Sequence, residues 1–279
     1  MTPGHTVFHR GDGVTLYTGD AAAVLAGFPG ESVDCVVTSP PYWGLRDYRV
    51  RGQYGAESTV EEYVATLVAV FDELARVIKP GGSAWLNLGD TFGGSWGNYV
   101  AAGSESRTAP VRVALSYGVL RPPQSRHRSK DLIGVPWRVA FALQSAGWAL
   151  RSAVVWEKPN ARPESARDRL SQRYEMLFWL SFRDDLPPAD PDSTGDVWTI
   201  PAERARTGHP AAGTLEVARR CLQHSCQPGA VVLDPFSGSG TTGIAARQLG
   251  HRFVGIDLDP ACHALAMSRL LALIETPNR

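Results

Sequence analysis

Two stretches of this sequence carry residue types that can do chemistry. The first, TSPPYW (38–43), closes an apolar run, VDCVVT (33–38). Two consecutive prolines remove two backbone donors, so a strand that reaches them stops pairing there. The stop leaves the Ser39 hydroxyl ahead of a stiff turn and two aromatics, Tyr42 and Trp43, behind it. The second stretch is VVLDPFSGSGTTGIAARQLGHRFVGIDLD (231–259). A β-branched run enters Asp234, a loop of small residues follows, and Thr241 and Thr242 open a helix. Gly238 and Gly240 let the backbone approach a ligand with no Cβ in the way. The helix N-terminus beyond them offers free N–H groups to a carboxylate or phosphate. Asp257 ends the next strand, where an acid can accept two hydrogen bonds from a ribose diol. A tight turn alone would also explain Gly-Ser-Gly; the strand before, the helix after and the acid at the next strand tip favour a nucleoside site. No Gly-Lys-Ser/Thr follows, which excludes a Walker loop.

Together these stretches resemble the amino-methyltransferases that modify DNA bases. DPFSGSGTT with VGID is similar to their S-adenosylmethionine motif, and TSPPYW to their catalytic motif. The catalytic motif comes first, an order that resembles the circularly permuted β class. GLRDYRVRGQYGAE, ELARVIKPGGSAWLNLGD and WEKPNARPES extend the likeness over nearly the whole chain. It implies a Rossmann-like α/β fold, S-adenosylmethionine as cofactor with S-adenosylhomocysteine as product, and duplex DNA as partner. A homodimer and a cognate restriction endonuclease are further partners of that resemblance. By position, it implies that Phe236, Ser237, Gly238, Gly240 and Thr241, after Asp234, line the methionine part and that Asp257 holds the ribose. Asp20, in YTGDA, would sit near the adenine, while its position before AAAVL also suits a helix N-cap. His209-Pro210 resembles a segment that closes over the cofactor, although the following AAGTLE departs from the family pattern.

Methylating an exocyclic amine is difficult because its lone pair is delocalised into the ring. Fixed acceptors that pull on the amine hydrogens favour a tetrahedral nitrogen able to attack in line, without a covalent enzyme intermediate. Ser39 and the Pro40 carbonyl are the candidate acceptors, and Pro40 and Pro41 stiffen the turn. A base must leave the duplex to be reached, and extruded bases are held on aromatic faces; Tyr42 matches the stacking residue, and Trp43 suits packing equally. Serine at position 39 resembles the cytosine-N4 enzymes, whereas adenine-N6 enzymes usually carry aspartate. Adenine N6 is the alternative, followed by RNA or protein-amide methylation and by a non-catalytic nucleic-acid-binding module. Cytosine C5 chemistry needs a nucleophilic cysteine, usually in Pro-Cys, and the chain has no Pro-Cys. Asp90, Trp156, Lys158 and Asn160 end strand-like runs and so can face the same edge; Lys158 and Asn160 could read the base, or simply cap a strand stop.

The elements that must position these residues alternate. Strands are expected at 14–20, 33–38, 83–90, 149–159, 175–182, 230–236 and 252–259, and helices at 21–28, 59–78, 131–147, 214–225, 241–250 and 260–275. Alternation of this kind argues for a mostly parallel, doubly wound sheet. KPGG (79–82) ends the second helix. Residues 91–130 and 183–208 break the pattern as insertions into one catalytic domain, 1–279. The first insertion carries Arg107, Arg112, Arg121, Arg126, Arg128 and Lys130 against the single acid Glu105 between 104 and 130, which fits either a solvated loop or an arm facing DNA.

Composition sets the outer bounds. The 279 residues balance 28 basic against 28 acidic side chains, so a nucleic-acid binder must concentrate its positive charge locally. No apolar run is long enough for a membrane span, and the first residues lack a secretory layout, so a cytoplasmic protein is expected. Cys35, Cys221, Cys226 and Cys262 show no metal-ligand spacing and read as thiols in a reducing compartment.

Overall fold

The computed structural model describes residues 6–46, 48, 50–93, 127–128, 130–161, 168–183, 195–203 and 213–275. In chain order the elements are β1 (Thr6–Gly11), β2 (Val14–Thr18), α1 (Ala21–Leu25), β3 (Val33–Thr38), α2 (Val60–Val77), β4 (Ile78–Leu88), α3 (Val135–Ser145), β5 (Ala149–Glu157) and β6 (Tyr174–Ser181). They continue with β7 (Val197–Thr199), α4 (Leu215–Ser225), β8 (Val231–Asp234), α5 (Thr241–Gln248), β9 (Arg252–Asp257) and α6 (Pro260–Glu275). The strands form one sheet in the order β1-β2-β9-β8-β3-β4-β6-β5-β7.

Side chains alternate across the sheet with the strand period of two. Leu86 and Leu88 of β4, Phe178 and Leu180 of β6 and Leu233 of β8 join α1, α2 and α3 in one core. Their neighbours Trp85, Leu177, Trp179 and Val232 pack on the opposite face against α4 and α5, where Leu270 of α6 joins them. Helix α2 forms as its spacing predicts, burying Tyr63, Leu67, Val70, Phe71 and Leu74. Thr59 closes a full capping box with Glu62, each side chain accepting the other residue's backbone N–H.

Four features differ from the sequence expectation. A hairpin strand, β1, precedes β2 antiparallel to it, closed at Asp12-Gly13. β4 begins directly after α2, and KPGG loops out as a bulge between the pairs Val33–Ile78 and Cys35–Ser83. Lys79 in that bulge pairs with Asp34 (2.8 Å). Helix α3 starts only at Val135, because Gly134 before it adopts a left-handed conformation (φ 74°). β7 lies within the expected excursion 183–208 and pairs parallel to β5.

The largest consequence comes from β6. It runs antiparallel to both β4 and β5, with Leu88 opposite Met176 and Trp156 opposite Glu175. Its N-terminal end therefore lies at the same sheet edge as the C-terminal ends of β3, β4, β5 and β8.

At that edge β3 and β8 are hydrogen-bonded neighbours, Cys35 beside Val232 and Val36 beside Leu233. The chain leaves β3 through α2 towards β4, and leaves β8 through α5 towards β9. Connections diverging from adjacent strands open a crevice, the place where open α/β sheets bind ligands. Thr38 and Asp234 close the floor of it: the Thr38 hydroxyl donates to Asp234 Oδ1 at 2.7 Å, and the Phe236 amide donates to the same oxygen at 3.1 Å. Burial lifts the Asp234 carboxyl to about 6, against the opposing pull of these hydrogen bonds.

This packing makes two outcomes measurable. Thr59→Ala removes the cap of α2 and should lower unfolding free energy by about 1 kcal/mol, read from denaturant midpoints. The folded-state pKa of Asp234 lies above its unfolded value, so the native state holds a proton that the unfolded chain lacks. Stability from this group is therefore lost as pH rises from about 4 to about 6. Asp234→Asn keeps the oxygen acceptor but cannot ionise. Its stability relative to the parent should rise by up to about 3 kcal/mol between pH 4 and pH 7; a flat difference would contradict the assignment.

Candidate active site

One cleft of about 1170 Å³ runs along this edge and joins the two motifs. Ser39, Pro40, Pro41 and Tyr42 line one end; Phe236, Ser237, Gly238, Thr241 and Asp257 line the other, with Asp234 between them. Ser39 is exposed and Pro40 buried, as expected where a central strand meets solvent. The Tyr63 hydroxyl donates to the Pro41 carbonyl (2.9 Å) and holds the turn from α2. The Tyr42 ring rests against Gly89, where a Cβ would come within 2.6 Å of Cε2, so only glycine admits it. Half-buried, Tyr42 has its hydroxyl pushed well above the usual range, first by burial and then by the charge of Glu175.

Glycines and backbone amides shape the other end. Gly240, in a left-handed conformation (φ 77°), caps α5 without a side-chain acceptor, so no N-cap side chain takes up the first-turn amides. A Cβ there would also meet Ala266 at 2.8 Å. Arg269 of α6 donates to the Ser239 carbonyl (2.6 Å) and to the Thr241 hydroxyl (3.2 Å), tying the loop down from behind. Asp257 accepts the amides of Gly238 (2.9 Å) and Asp259 (2.8 Å), while burial raises its pKa. The Ser237 hydroxyl is buried with no partner among the described residues.

Other expected site residues sit differently. Trp43 is core, only 3% exposed, its indole donating to the Glu57 carbonyl (3.0 Å), and it does not line the cleft. Asp90 also stays off the cleft wall: its Oδ1 accepts the amides of Thr91 and Val135 (both 2.9 Å), fastening β4 to the start of α3. Asp20 spends both oxygens on structure, capping Ala23 (3.0 Å) and accepting the Tyr54 hydroxyl (2.8 Å). Its neighbours Gly19 and Ala21 line the cleft instead. Asn160 lines the cleft but clasps both the carbonyl and the amide of Ala202 (2.8 Å each). Lys158 lies in the cleft, ion-paired with Glu175 and 4.7 Å from the Trp156 ring centroid. Lys130 pairs with Asp168, and neither Lys130 nor Arg128 reaches the cleft. Arg107, Arg121, Arg126 and the His209-Pro210 segment lie outside the described residues.

Sequence reasoning missed Glu175, Asn87, Gln53 and Tyr48, all of which line the cleft. Glu175 had a legible signal: it is the one carboxylate in the otherwise apolar run EMLFWL. Gln53 bridges the Tyr48 amide (2.9 Å) and the Arg46 carbonyl (3.2 Å), folding the segment after the catalytic turn back on itself. Its neck is closed by the Gly44 amide donating to the Gly55 carbonyl (2.8 Å).

A nucleoside with a short charged tail fits the second end: open amides at a helix N-terminus, an unpartnered buried hydroxyl and a fixed carboxylate. S-adenosylmethionine has that make-up. Among solved structures, TTHA0409 from Thermus thermophilus, crystallised with S-adenosyl-L-methionine, superposes with a TM-score of 0.66 at 26% identity, covering 95% of each chain. The PvuII DNA methyltransferase, described as cytosine-N4-specific, superposes with a TM-score of 0.69 at 17% identity, over 96% of this chain and 94% of that one. Type II methyltransferase M.Cfr9I of Citrobacter freundii is 40% identical over 272 residues, 93% of this chain and 88% of its own length. M.SmaI of Serratia marcescens is 40% identical over 270 residues, 92% of this chain and 90% of its own. The N6_N4_Mtase family model, a DNA methylase, matches residues 33–268, from the first residue of β3 into α6. That match takes in both ends of the cleft, and the chain belongs to this family, the S-adenosylmethionine-dependent DNA amino-methyltransferases.

Proposed function

We propose that the enzyme methylates the N4 amine of cytosine within a short recognition sequence of duplex DNA. The observation that carries this reading is Ser39: a neutral hydroxyl, exposed at the end of β3 and ahead of Pro-Pro-Tyr, where the adenine-type motif has a carboxylate. Bound S-adenosylmethionine supplies an electrophilic methyl group; everything else falls to the chain. Ser39 Oγ and the Pro40 carbonyl accept the amine hydrogens and bias the nitrogen towards a tetrahedral lone pair. The prolines and the Tyr63–Pro41 hydrogen bond keep those acceptors still, which matters because misplacement by about 1 Å can cost about 100-fold in rate.

Tyr42 offers the extruded base an aromatic face, and Lys158 a donor for the base's acceptor edge. At the far end, Asp257 takes the ribose hydroxyls, and Phe236, Ser237, Gly238, Gly240 and Thr241 take the methionine part. Asp234 acts from below by fixing Thr38 and the Phe236 amide. Asp20 serves the adenine end indirectly, by holding Gly19 and Ala21 on the wall through the α1 cap. Asn160 likewise shapes the pocket by clasping Ala202. The two insertions supply DNA contacts within a single catalytic domain, and the Type II relatives support a cognate endonuclease as the biological counterpart.

Labelled S-adenosylmethionine incubated with unmethylated plasmid DNA, followed by nucleoside digestion and mass analysis, tests the reading. N4-methylcytosine is the expected product; N6-methyladenine would move the target, and transfer only to RNA or protein would overturn it. Ser39→Ala should slow turnover by about 100-fold or more with cofactor affinity spared. Asp257→Ala should instead weaken cofactor binding by roughly 10–100-fold, as loss of charge-assisted hydrogen bonds does. Equal loss of cofactor affinity in both variants would mean that the roles are misassigned.

A further inference from the structure

Glu175, at the N-terminal end of β6, gathers three donors inside the cleft. Its Oε2 accepts the Tyr42 hydroxyl (2.7 Å) and the Asn87 amide nitrogen (3.1 Å), and its Oε1 pairs with Lys158. The pair is well enclosed, 18% exposed at Lys158 and 16% at Glu175. Asn87 itself is anchored on the Met176 carbonyl (3.2 Å). All four of these side chains, Glu175, Tyr42, Asn87 and Lys158, line the cleft.

Hydrogen-bond direction then propagates outward. A carboxylate paired with an ammonium has no proton to give, so Tyr42 must donate to it. The Tyr42 oxygen is left as an acceptor, and among the described residues its other partner is Ser39 Oγ at 3.3 Å. That separation is long for two hydroxyls, as such contacts often are before substrate binds. The Ser39 proton consequently points at Tyr42, and the Ser39 lone pairs point elsewhere, towards the cleft.

We propose that Glu175 is the positioning residue of the target pocket: through Tyr42 it orients Ser39 as an acceptor for the amine, and it holds Lys158 beside the base. The inference rests on the amine-methylation reading of the same site, but not on which base carries the amine. Without the carboxylate, Tyr42 can donate to Ser39, and the serine proton is then free to face the amine it should be receiving from. The high pKa of Tyr42 is consistent with a phenol that stays protonated and keeps donating.

A double-mutant cycle tests this. Single-turnover methyl transfer to unmethylated plasmid DNA, at saturating S-adenosylmethionine, is measured for the parent, Glu175→Ala, Tyr42→Phe and the double variant. Total methyl incorporation is scored, so the cycle keeps its meaning if the product base proves to be adenine. Each single variant should slow transfer roughly 10–100-fold, and the double should be no slower than the slower single. Glu175→Gln, whose carbonyl can still accept the Tyr42 proton, should recover at least part of the rate lost in Glu175→Ala. Cofactor affinity by calorimetry should stay within about twofold throughout, since neither Glu175 nor Tyr42 touches the Asp257 end. Multiplicative losses in the double variant, a parental rate in either single, or cofactor affinity falling in step with rate would each overturn the proposal. Should Glu175→Ala fail to fold, Tyr42→Phe and Glu175→Gln decide it: a parental rate for Tyr42→Phe overturns it, and a slowed Tyr42→Phe beside a more active Glu175→Gln supports it.

Discussion

The pairing of β3 with β8, sealed by the Thr38–Asp234 hydrogen bond, is the constraint on which the site depends. The residues it joins are separated by 196 positions, so nothing local holds them together. Once the strands are neighbours, chain connectivity does the rest: one motif follows β3, the other follows β8, and divergence of the two connections opens the cleft between them. The bond has a cost. A carboxyl raised to about 6 by burial is a destabilising group at neutral pH, offset by the order it imposes on Thr38 and on the Phe236 amide.

A second constraint is orientation of β6. Were it parallel to its neighbours, its N-terminus would sit at the far edge of the sheet, and Glu175 would be about a strand length from Tyr42. Antiparallel placement brings a carboxylate to an edge otherwise furnished by strand C-termini. Glu175 and Lys158 can then share one wall of the cleft, with Asn87 of β4 completing the set. The wall is polar but internally paired, which suits a surface that must present fixed donors and acceptors without leaving a buried charge alone.

Carboxylates in this chain separate into two uses that motif position alone does not distinguish. Asp257 accepts two backbone amides and still faces the cleft. Asp20 and Asp90 sit at equally plausible strand ends, yet a helix cap and a loop fastening consume them. Trp43, beside the catalytic turn, is likewise claimed by packing. The difference lies in which neighbours offer hydrogen-bond donors or apolar contacts, and those neighbours come from distant parts of the chain, such as Tyr54 for Asp20 and Val135 for Asp90.

What the sequence determined by itself was everything set by short-range chemistry. Pro-Pro ends β3, glycines bend the loop before α5, Thr59 caps α2, and alternation of strands and helices requires a doubly wound sheet, because each of these effects acts within a few residues. Its limits have the same origin. The direction of β6, the hairpin strand β1 and the small strand β7 depend on pairing partners far away in sequence. Only the tertiary structure decided that Glu175, read along the chain as the start of an apolar strand, faces Tyr42 and Lys158: hydrogen bonds between side chains require proximity in space, and proximity here is a product of strand order and direction rather than of sequence distance.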